Sequence, residues 1–196
     1  MRQDLFVLSE LGFKKNGFFV EFGATNGIDI SNTYLLEEDF GWTGILAEPA
    51  RCWQRELSEN RSAAIETKCI WRNSGDRLRF KEVSNPDLST IESFSAADLH
   101  RDLRKTGATY EVETISLNDL LDKHAAPALV DNLIDTEGSE YDILSACDFA
   151  KHQFAVITCE HNFTPSREQI HSLLTRNGYT RKYPEISRCD DWYVLT

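Results

Sequence analysis

Four short stretches of the sequence hold the side chains best able to do chemistry. The first, Glu21-Phe-Gly-Ala-Thr-Asn-Gly27, ends an apolar run with a carboxylate and follows it with a glycine turn. Gly23 and Gly27 let the backbone bend tightly and come close to a ligand with no Cβ in the way. A carboxylate beside such a turn suits a ligand bearing an amino group. The spacing is G-x-x-x-G, not the G-x-G-x-x-G of dinucleotide pyrophosphate sites, which disfavours nicotinamide-dependent hydride transfer. The second is Glu48, about 20 residues further on, the distance at which an acidic residue accepts hydrogen bonds from ribose hydroxyls. Glu48 could equally cap the helix that begins at Pro49-Ala50. Together the turn and Glu48 point to an adenosine-type ligand.

The third stretch, Asp135-Thr-Glu-Gly-Ser-Glu140, crowds carboxylates at the end of another apolar run. Like charges so close repel unless a proton, a cation or a hydroxyl-rich ligand is shared among them. Glu140 is better read as capping the helix that starts near Tyr141, where negative charge meets the helix dipole; Asp135 is not. In the fourth stretch, Glu160-His161-Asn162, Glu160 or Asp135 could orient the His161 ring and raise its basicity, the arrangement a general base needs. His161 is the candidate base, with Asp135 or Glu137 as orienting groups, while structural and binding roles stay open for it. The other histidines read as structural. If a divalent metal takes part, Asp135, Glu137 and Glu160 are its oxygen ligands, because carboxylates suit Mg²⁺ and no Cys/His set suits zinc.

These residues need a scaffold that brings strand ends together. Short apolar runs alternate with helical patterns, the signature of a parallel sheet wrapped by helices. An amphipathic helix over residues 1–16 turns Leu5, Phe6, Leu8 and Leu11 to the core. Strands are expected over Gly17–Phe22, Gly44–Glu48, Ala63–Trp71, Leu129–Asp135, Ala155–Glu160 and Trp192–Leu195, with Leu78–Val83 and Tyr110–Ile115 alternating like edge strands. Helices are expected from about Asn32 to Phe40, from Pro49 through Trp53 and Leu57, after the N-cap Ser116, and from Thr164-Pro165 to Gly178. One open, mostly parallel sheet then accounts for the whole chain. In such sheets ligands bind at the carboxyl ends of the strands, where all four stretches fall. The pattern fades over residues 84–109, apart from a short helix over Ser95–Lys105. A long insertion of this kind in a compact domain reads as a lid or acceptor-site segment.

At 196 residues the chain has the length of one domain, 1–196. A net charge of −11 and the lack of a basic stripe argue against a nucleic-acid partner. No run approaches the roughly 18 apolar residues of a membrane helix, so no membrane insertion is expected. The 5 cysteines have no C-x-x-C spacing and read as free thiols, which fits a cytoplasmic protein.

The chain resembles the FkbM-type methyltransferases. The likeness is carried by Phe18-Phe-Val-Glu-Phe-Gly-Ala-Thr-Asn-Gly27, Ser31-Asn-Thr-Tyr-Leu-Leu-Glu37, Gly41-Trp-Thr-Gly-Ile-Leu-Ala-Glu-Pro49, Ile134-Asp-Thr-Glu-Gly-Ser-Glu140 and Glu160-His-Asn162. Thr136 and Ser139 stand where the familiar fourth motif has valine and alanine. The resemblance implies an α/β Rossmann-like class I fold: a seven-stranded, mostly parallel sheet, its last strand antiparallel, with helices on both faces. It implies S-adenosylmethionine as methyl donor and O-methylation of a sugar or glycosylated small molecule. Carried over by position, Glu21, Gly23, Ala24, Thr25, Asn26 and Gly27 hold the methionine end, with Ser31 and Asn32 beside it. Glu48, next to Pro49, binds the ribose, and Ile70 contacts the adenine. Asp135 and Glu137 face donor and acceptor. The alternative is a methyltransferase-like module that binds the cofactor and methylates nothing; a pure binding pocket, however, has no need of a base.

Overall fold

The computed structural model describes residues 3–95, 101–134 and 138–196, with the side chains of 132–134 left aside. The period-2 alternation of buried residues decides the main sheet. Along β1 (Phe18–Phe22), Val20 and Phe22 face one apolar cluster and Phe19 the other. Along β2 (Thr43–Ala47), Ile45 and Ala47 face the first and Leu46 the second. A strand apolar on both faces must be covered on both, as in parallel sheets. Helices α1 (Gln3–Glu10), α2 (Tyr34–Phe40) and α3 (Gln54–Asn60) supply Phe6, Val7, Leu8, Leu36 and Leu57 to one face. Helices α4 (Leu117–Lys123), α5 (Glu140–Ser145) and α6 (Ser166–Arg176) supply Leu120, Leu121, Ile143, Leu144, Ile170 and Leu174 to the other.

The remaining strands are β3 (Ala64–Glu66), β4 (Cys69–Trp71), β5 (Arg77–Val83), β6 (Thr90–Ile91), β7 (Gly107–Ser116), β8 (Leu129–Ile134), β9 (Gln153–Glu160), β10 (Tyr179–Lys182) and β11 (Asp190–Leu195). The main sheet has 7 strands in the order β10-β11-β9-β8-β1-β2-β3. Strands β3, β2, β1, β8 and β9 run parallel; β11 pairs antiparallel with both β9 and β10. The chain therefore ends on the expected antiparallel strand, and β1 lies at the centre beside β8.

Several expectations are corrected. A second sheet of 4 strands, β4-β7-β5-β6, takes the middle of the chain, so one sheet does not account for all of it. It has its own apolar cluster, built on Trp71, Phe80, Ile91 and Val112. The apolar run 63–71 is two strands in two sheets, broken at Thr67-Lys68. Residues 101–105 form turns rather than the end of a helix, and 96–100 lie outside the described residues. Helix α1 buries Val7 where Leu5 was expected; Leu5 is exposed. Helices α2 and α3 start at Tyr34 and Gln54, later than Asn32 and Pro49. The Ser116 cap forms as expected: its side chain accepts from Asp119 N at 3.1 Å.

Candidate functional site

A cavity of about 330 Å³ opens at the carboxyl edge of the main sheet, within the about 300–1,000 Å³ range of small-molecule pockets. Phe22, Ala47 and Glu160 bring the ends of β1, β2 and β9 to its wall, and the 85–91 segment closes one side. Of the residues expected around a cofactor, Gly23, Thr25, Glu48, Pro49 and Ile70 line it together. A smaller cavity of about 200 Å³ shares Glu160 with the first and is walled by Gly138, Glu140, His161, Asn162 and Phe94.

Glu48 is the best-defined group in the larger cavity. Its two oxygens accept Thr25 N at 2.9 Å and Ala50 N at 2.7 Å, so it braces the glycine turn and the start of the next segment at once. It faces the cavity but caps no helix, because Ala50 precedes α3, which begins at Gln54 with no side-chain cap bond. Burial pushes its pKa up to about 7; the two backbone N–H groups pull it down, and the charges of Glu82 and Asp87 add to the rise. Each oxygen keeps a lone pair that a ligand hydroxyl could use. The surrounding Ile70, Phe80 and Ile91 offer apolar contacts for a flat ring.

Glu21 does something else. Its carboxylate accepts Ser31 Oγ at 3.0 Å, Asn32 N at 2.7 Å and Thr33 Oγ1 at 2.5 Å. Burial raises its pKa against those bonds and the charge of Arg61. It fixes the loop after β1 rather than lining the cavity, and Ser31 and Asn32 are the groups it holds. Gly27 is likewise not an approach point: with φ +82°, a Cβ there would meet Arg61 Cγ at 2.6 Å. Ala24 is buried and Asn26 builds the next turn, accepting Ile28 N at 3.0 Å and Asp29 N at 2.9 Å. Neither lines the cavity.

Sequence reasoning missed Arg61, the hub of this loop. Its guanidinium donates to Glu37 Oε2, Gly27 O, Ser31 Oγ and Thr33 Oγ1 at 2.8, 2.8, 3.1 and 2.9 Å. The side chain is fully buried, paired with Glu37 at 2.7 Å. Nothing local marks it, because its partners are 24 to 34 positions away.

His161 also differs from expectation. Its side chain is 1% exposed and its Nδ1 accepts Phe163 N at 3.0 Å. A nitrogen that accepts carries no proton, so in the neutral ring the proton sits on Nε2. Nε2 has no hydrogen-bond partner among the described residues and lies 3.9 Å from Asp191 Oδ1. Asp191 is gripped by Arg167 Nε and Nη2 at 2.9 and 2.7 Å and by Arg181 Nη1 at 3.2 Å. Burial raises the Asp191 pKa, but the Arg167 bonds and charge outweigh it and leave it lowered. Burial lowers the pKa of His161, with Asp191 opposing. The ring walls the smaller cavity and, through Nδ1, holds the Asn162–Phe163 turn.

Asp135 and Glu137, expected to face donor and acceptor, lie outside the described residues, so of the metal set only Glu160 is placed. Among the described residues no three His, Cys, Asp or Glu side chains gather as a metal site. Glu140 opens α5, in the first turn where its charge meets the helix dipole, and accepts Gly138 N at 3.1 Å, a group that precedes the helix.

The family profile of the methyltransferase FkbM domain matches residues 21–183. The chain belongs to the FkbM methyltransferase family. The family implies S-adenosylmethionine as methyl donor. Among solved structures, the precorrin-6y C5,15-methyltransferase of Geobacter metallireducens GS-15 is similar at 12% identity and TM-score 0.50, over 97% of this chain and 86% of that one. The METTL16 MTase domain is similar at 13% identity and TM-score 0.51, over 97% of this chain and 64% of that one. At such identities the likeness is one of fold: both proteins are named as methyltransferases, in keeping with the Rossmann-like class I architecture of this FkbM-family chain. No curated protein sequence matches. Among the described residues no helix is long and apolar enough to cross a membrane.

Proposed function

We propose that this FkbM-family methyltransferase moves the methyl group of S-adenosylmethionine to a hydroxyl oxygen of a carbohydrate-containing small molecule. The observation that carries the cofactor half is Glu48: a buried carboxylate at the end of β2, held by Thr25 N and Ala50 N, with the larger cavity in front of it. A ribose diol donating to that carboxylate, with an adenine against Ile70 and the 85–91 wall, fits the residues present. The bound sulfonium supplies an activated methyl and its own leaving group. What remains for the protein is to hold the acceptor oxygen in line and keep water away, a positioning effect of about 7–11 kcal/mol at best.

The acceptor half is supported by the smaller cavity, which adjoins the larger one across Glu160. Glu140, Glu160 and Asn162 on its wall offer the polar contacts a hydroxyl-rich acceptor uses. Glu160 borders both spaces and is assigned the proton leaving the acceptor hydroxyl, a contribution of about 10²- to 10⁴-fold. His161 is assigned the turn beside it. The 5 free cysteines support a reducing, cytoplasmic setting.

The test has two stages. Calorimetric titration with S-adenosylhomocysteine establishes cofactor binding. Incubation with S-adenosylmethionine and a panel of glycosides, read by mass spectrometry, is then expected to give O-methylated product, with Glu160→Gln slowed by the factor above and its cofactor affinity unchanged. Cofactor binding without product on any glycoside would sink the carbohydrate reading.

A further inference from the structure

Ile30, which lines the larger cavity, and Phe163, which packs beside His161 of the smaller one, are of the wrong type for their backbone. Ile30, in the loop after β1, has φ +56° and is 61% exposed. Phe163, in the loop after β9, also has φ +56°, is 64% exposed and follows Asn162 at φ +42°. The left-handed region admits glycine freely and asparagine readily, whereas a β-branched or bulky residue there is an outlier. Burial compensates neither, although the Phe163 ring meets the His161 ring edge-on, centroids 5.2 Å apart.

Both loops are held in place. Asn26 Oδ1 takes Ile28 N and Asp29 N, Asn60 Nδ2 donates to Asn26 O at 2.9 Å, and Arg61 donates to Gly27 O. On the other side Phe163 N donates to the His161 ring and Thr164 N to His161 O at 2.7 Å. Turns alone would be better served by glycine or asparagine, and open surface by polar side chains. Strain of this kind persists where the side chain has a use. The two loops leave strands separated only by β8, about 10 Å apart. Ile30 lines the mouth of the larger cavity, and the residues just before Phe163 wall the smaller one.

We propose that Ile30 and Phe163 are two apolar jaws that grip a hydrocarbon or aromatic portion of the acceptor next to its reacting hydroxyl. The acceptor is then a neutral glycoside with an apolar aglycone rather than a free sugar. The inference rests on the methyl-transfer reading above. Charge agrees with a neutral acceptor: Glu48, Asp87, Glu140 and Glu160 line the two cavities of a chain with net charge −11.

The experiment is calorimetry on protein saturated with S-adenosylhomocysteine, titrated with methyl, hexyl and octyl glucoside below micellar concentration. Affinity is expected to rise about tenfold or more from methyl to octyl, since each buried methylene favours binding. Ile30→Asn and Phe163→Asn should each lose most of that gain and melt about 2–4 °C higher because asparagine relieves the backbone, and Phe163→Asn, whose residue lines neither cavity, should bind S-adenosylhomocysteine unchanged. Failure to bind S-adenosylhomocysteine would refute the methyl-transfer reading itself. Binding of it with no gain along the alkyl series, or variants that keep the gain or melt lower, would overturn the jaws. Co-sedimentation with phosphatidylcholine vesicles, lost in both variants, would reassign the pair to a lipid surface and overturn the proposal too.

Discussion

If Glu48 receives the ribose hydroxyls, cofactor affinity must depend on pH through that one carboxyl. Burial, helped by Glu82 and Asp87, holds its pKa at about 7. Hydroxyls that donate to it favour the ionised form, so binding releases a proton wherever the free protein still holds one. With only the ionised form competent, the apparent Kd scales as 1 + 10^(pKa − pH). Between pH 8 and pH 6 that predicts weakening of about tenfold, or about 1.4 kcal/mol. Glu48→Gln should abolish the dependence and weaken binding at pH 8 by about 1.5–3 kcal/mol, the worth of hydrogen bonds to a charged group. The assay is calorimetry from pH 6 to 8 in buffers of different ionisation enthalpy, with adenosine as a control lacking the amino-acid end. A flat affinity for both ligands, or a Gln variant that binds like wild type, would refute the ribose assignment. The same shift bears on stability with the opposite sense. The folded pKa lies above the ordinary glutamate value of about 4.5, so this group's contribution is full below about 4.5 and is lost as pH rises through about 7. The difference is on the order of 3 kcal/mol in the ligand-free protein, visible as a pH-dependent gap in denaturant midpoint between wild type and Glu48→Gln.

Other perturbations reach other parts of the site. Arg61→Met leaves the Glu37 carboxylate buried beside an apolar chain and should cost about 3–5 kcal/mol in urea unfolding; a loss under 1 kcal/mol would mean that the pair does not brace the loop. Gly27→Ala forces a Cβ onto Arg61 at φ +82° and should destabilise by more than about 1 kcal/mol while weakening cofactor binding through the displaced turn, both read in one thermal-shift titration. His161→Ala distinguishes a base from a turn-holder: the turn-holding role predicts that melting temperature and turnover fall together, whereas turnover lost at unchanged melting temperature would restore the base. Neutral His161 has a lowered pKa, so its share of stability is present above about 6.5 and is lost as pH falls; wild type and His161→Ala should converge in acid.

What was legible in the sequence was whatever is local. Alternation in β1 and β2, the polar-to-helix boundary at Ser116 and the acidic end of β2 each follow from neighbouring residue types, and each stands where it was expected. The run 63–71 shows the limit: an uninterrupted apolar stretch reads as one strand, and only pairing partners 45 positions away send β4 to β7, while β3 pairs with β2, 19 positions back. His161 shows it more sharply. Its sequence neighbours Glu160 and Asn162 suggested a charge partner close by, but β11 pairs antiparallel with β9 and sets Asp191 opposite Cys159. The carboxylate facing the ring thus comes from a register that no local pattern encodes. Arg61 was invisible for the same reason, as every group it binds arrives through the fold.

The second sheet is more than an appendage to the first, because the chemistry of Glu48 depends on it. Glu82 lies on β5 and Asp87 in the segment between β5 and β6; both raise the Glu48 pKa, and residues 85–91 wall the space in front of it. That sheet is tied to the residues following Glu48 by Tyr110 on β7, whose hydroxyl donates to Glu82 Oε2 at 2.7 Å and accepts Arg51 N at 3.0 Å. The Arg51 guanidinium covers the same ring at 4.1 Å from its centroid. Tyr110→Phe removes both hydroxyl bonds and leaves ring and cavity walls in place. Loosening the tie should let water reach Glu48 and move its pKa down toward 4.5 without touching any group at the cavity. Cofactor affinity at pH 8 would then stay close to wild type, and the pH dependence between 6 and 8 would flatten. A Tyr110→Phe protein with the full tenfold dependence would mean that burial by the main sheet alone sets the carboxyl, and that the second sheet has no part in tuning it.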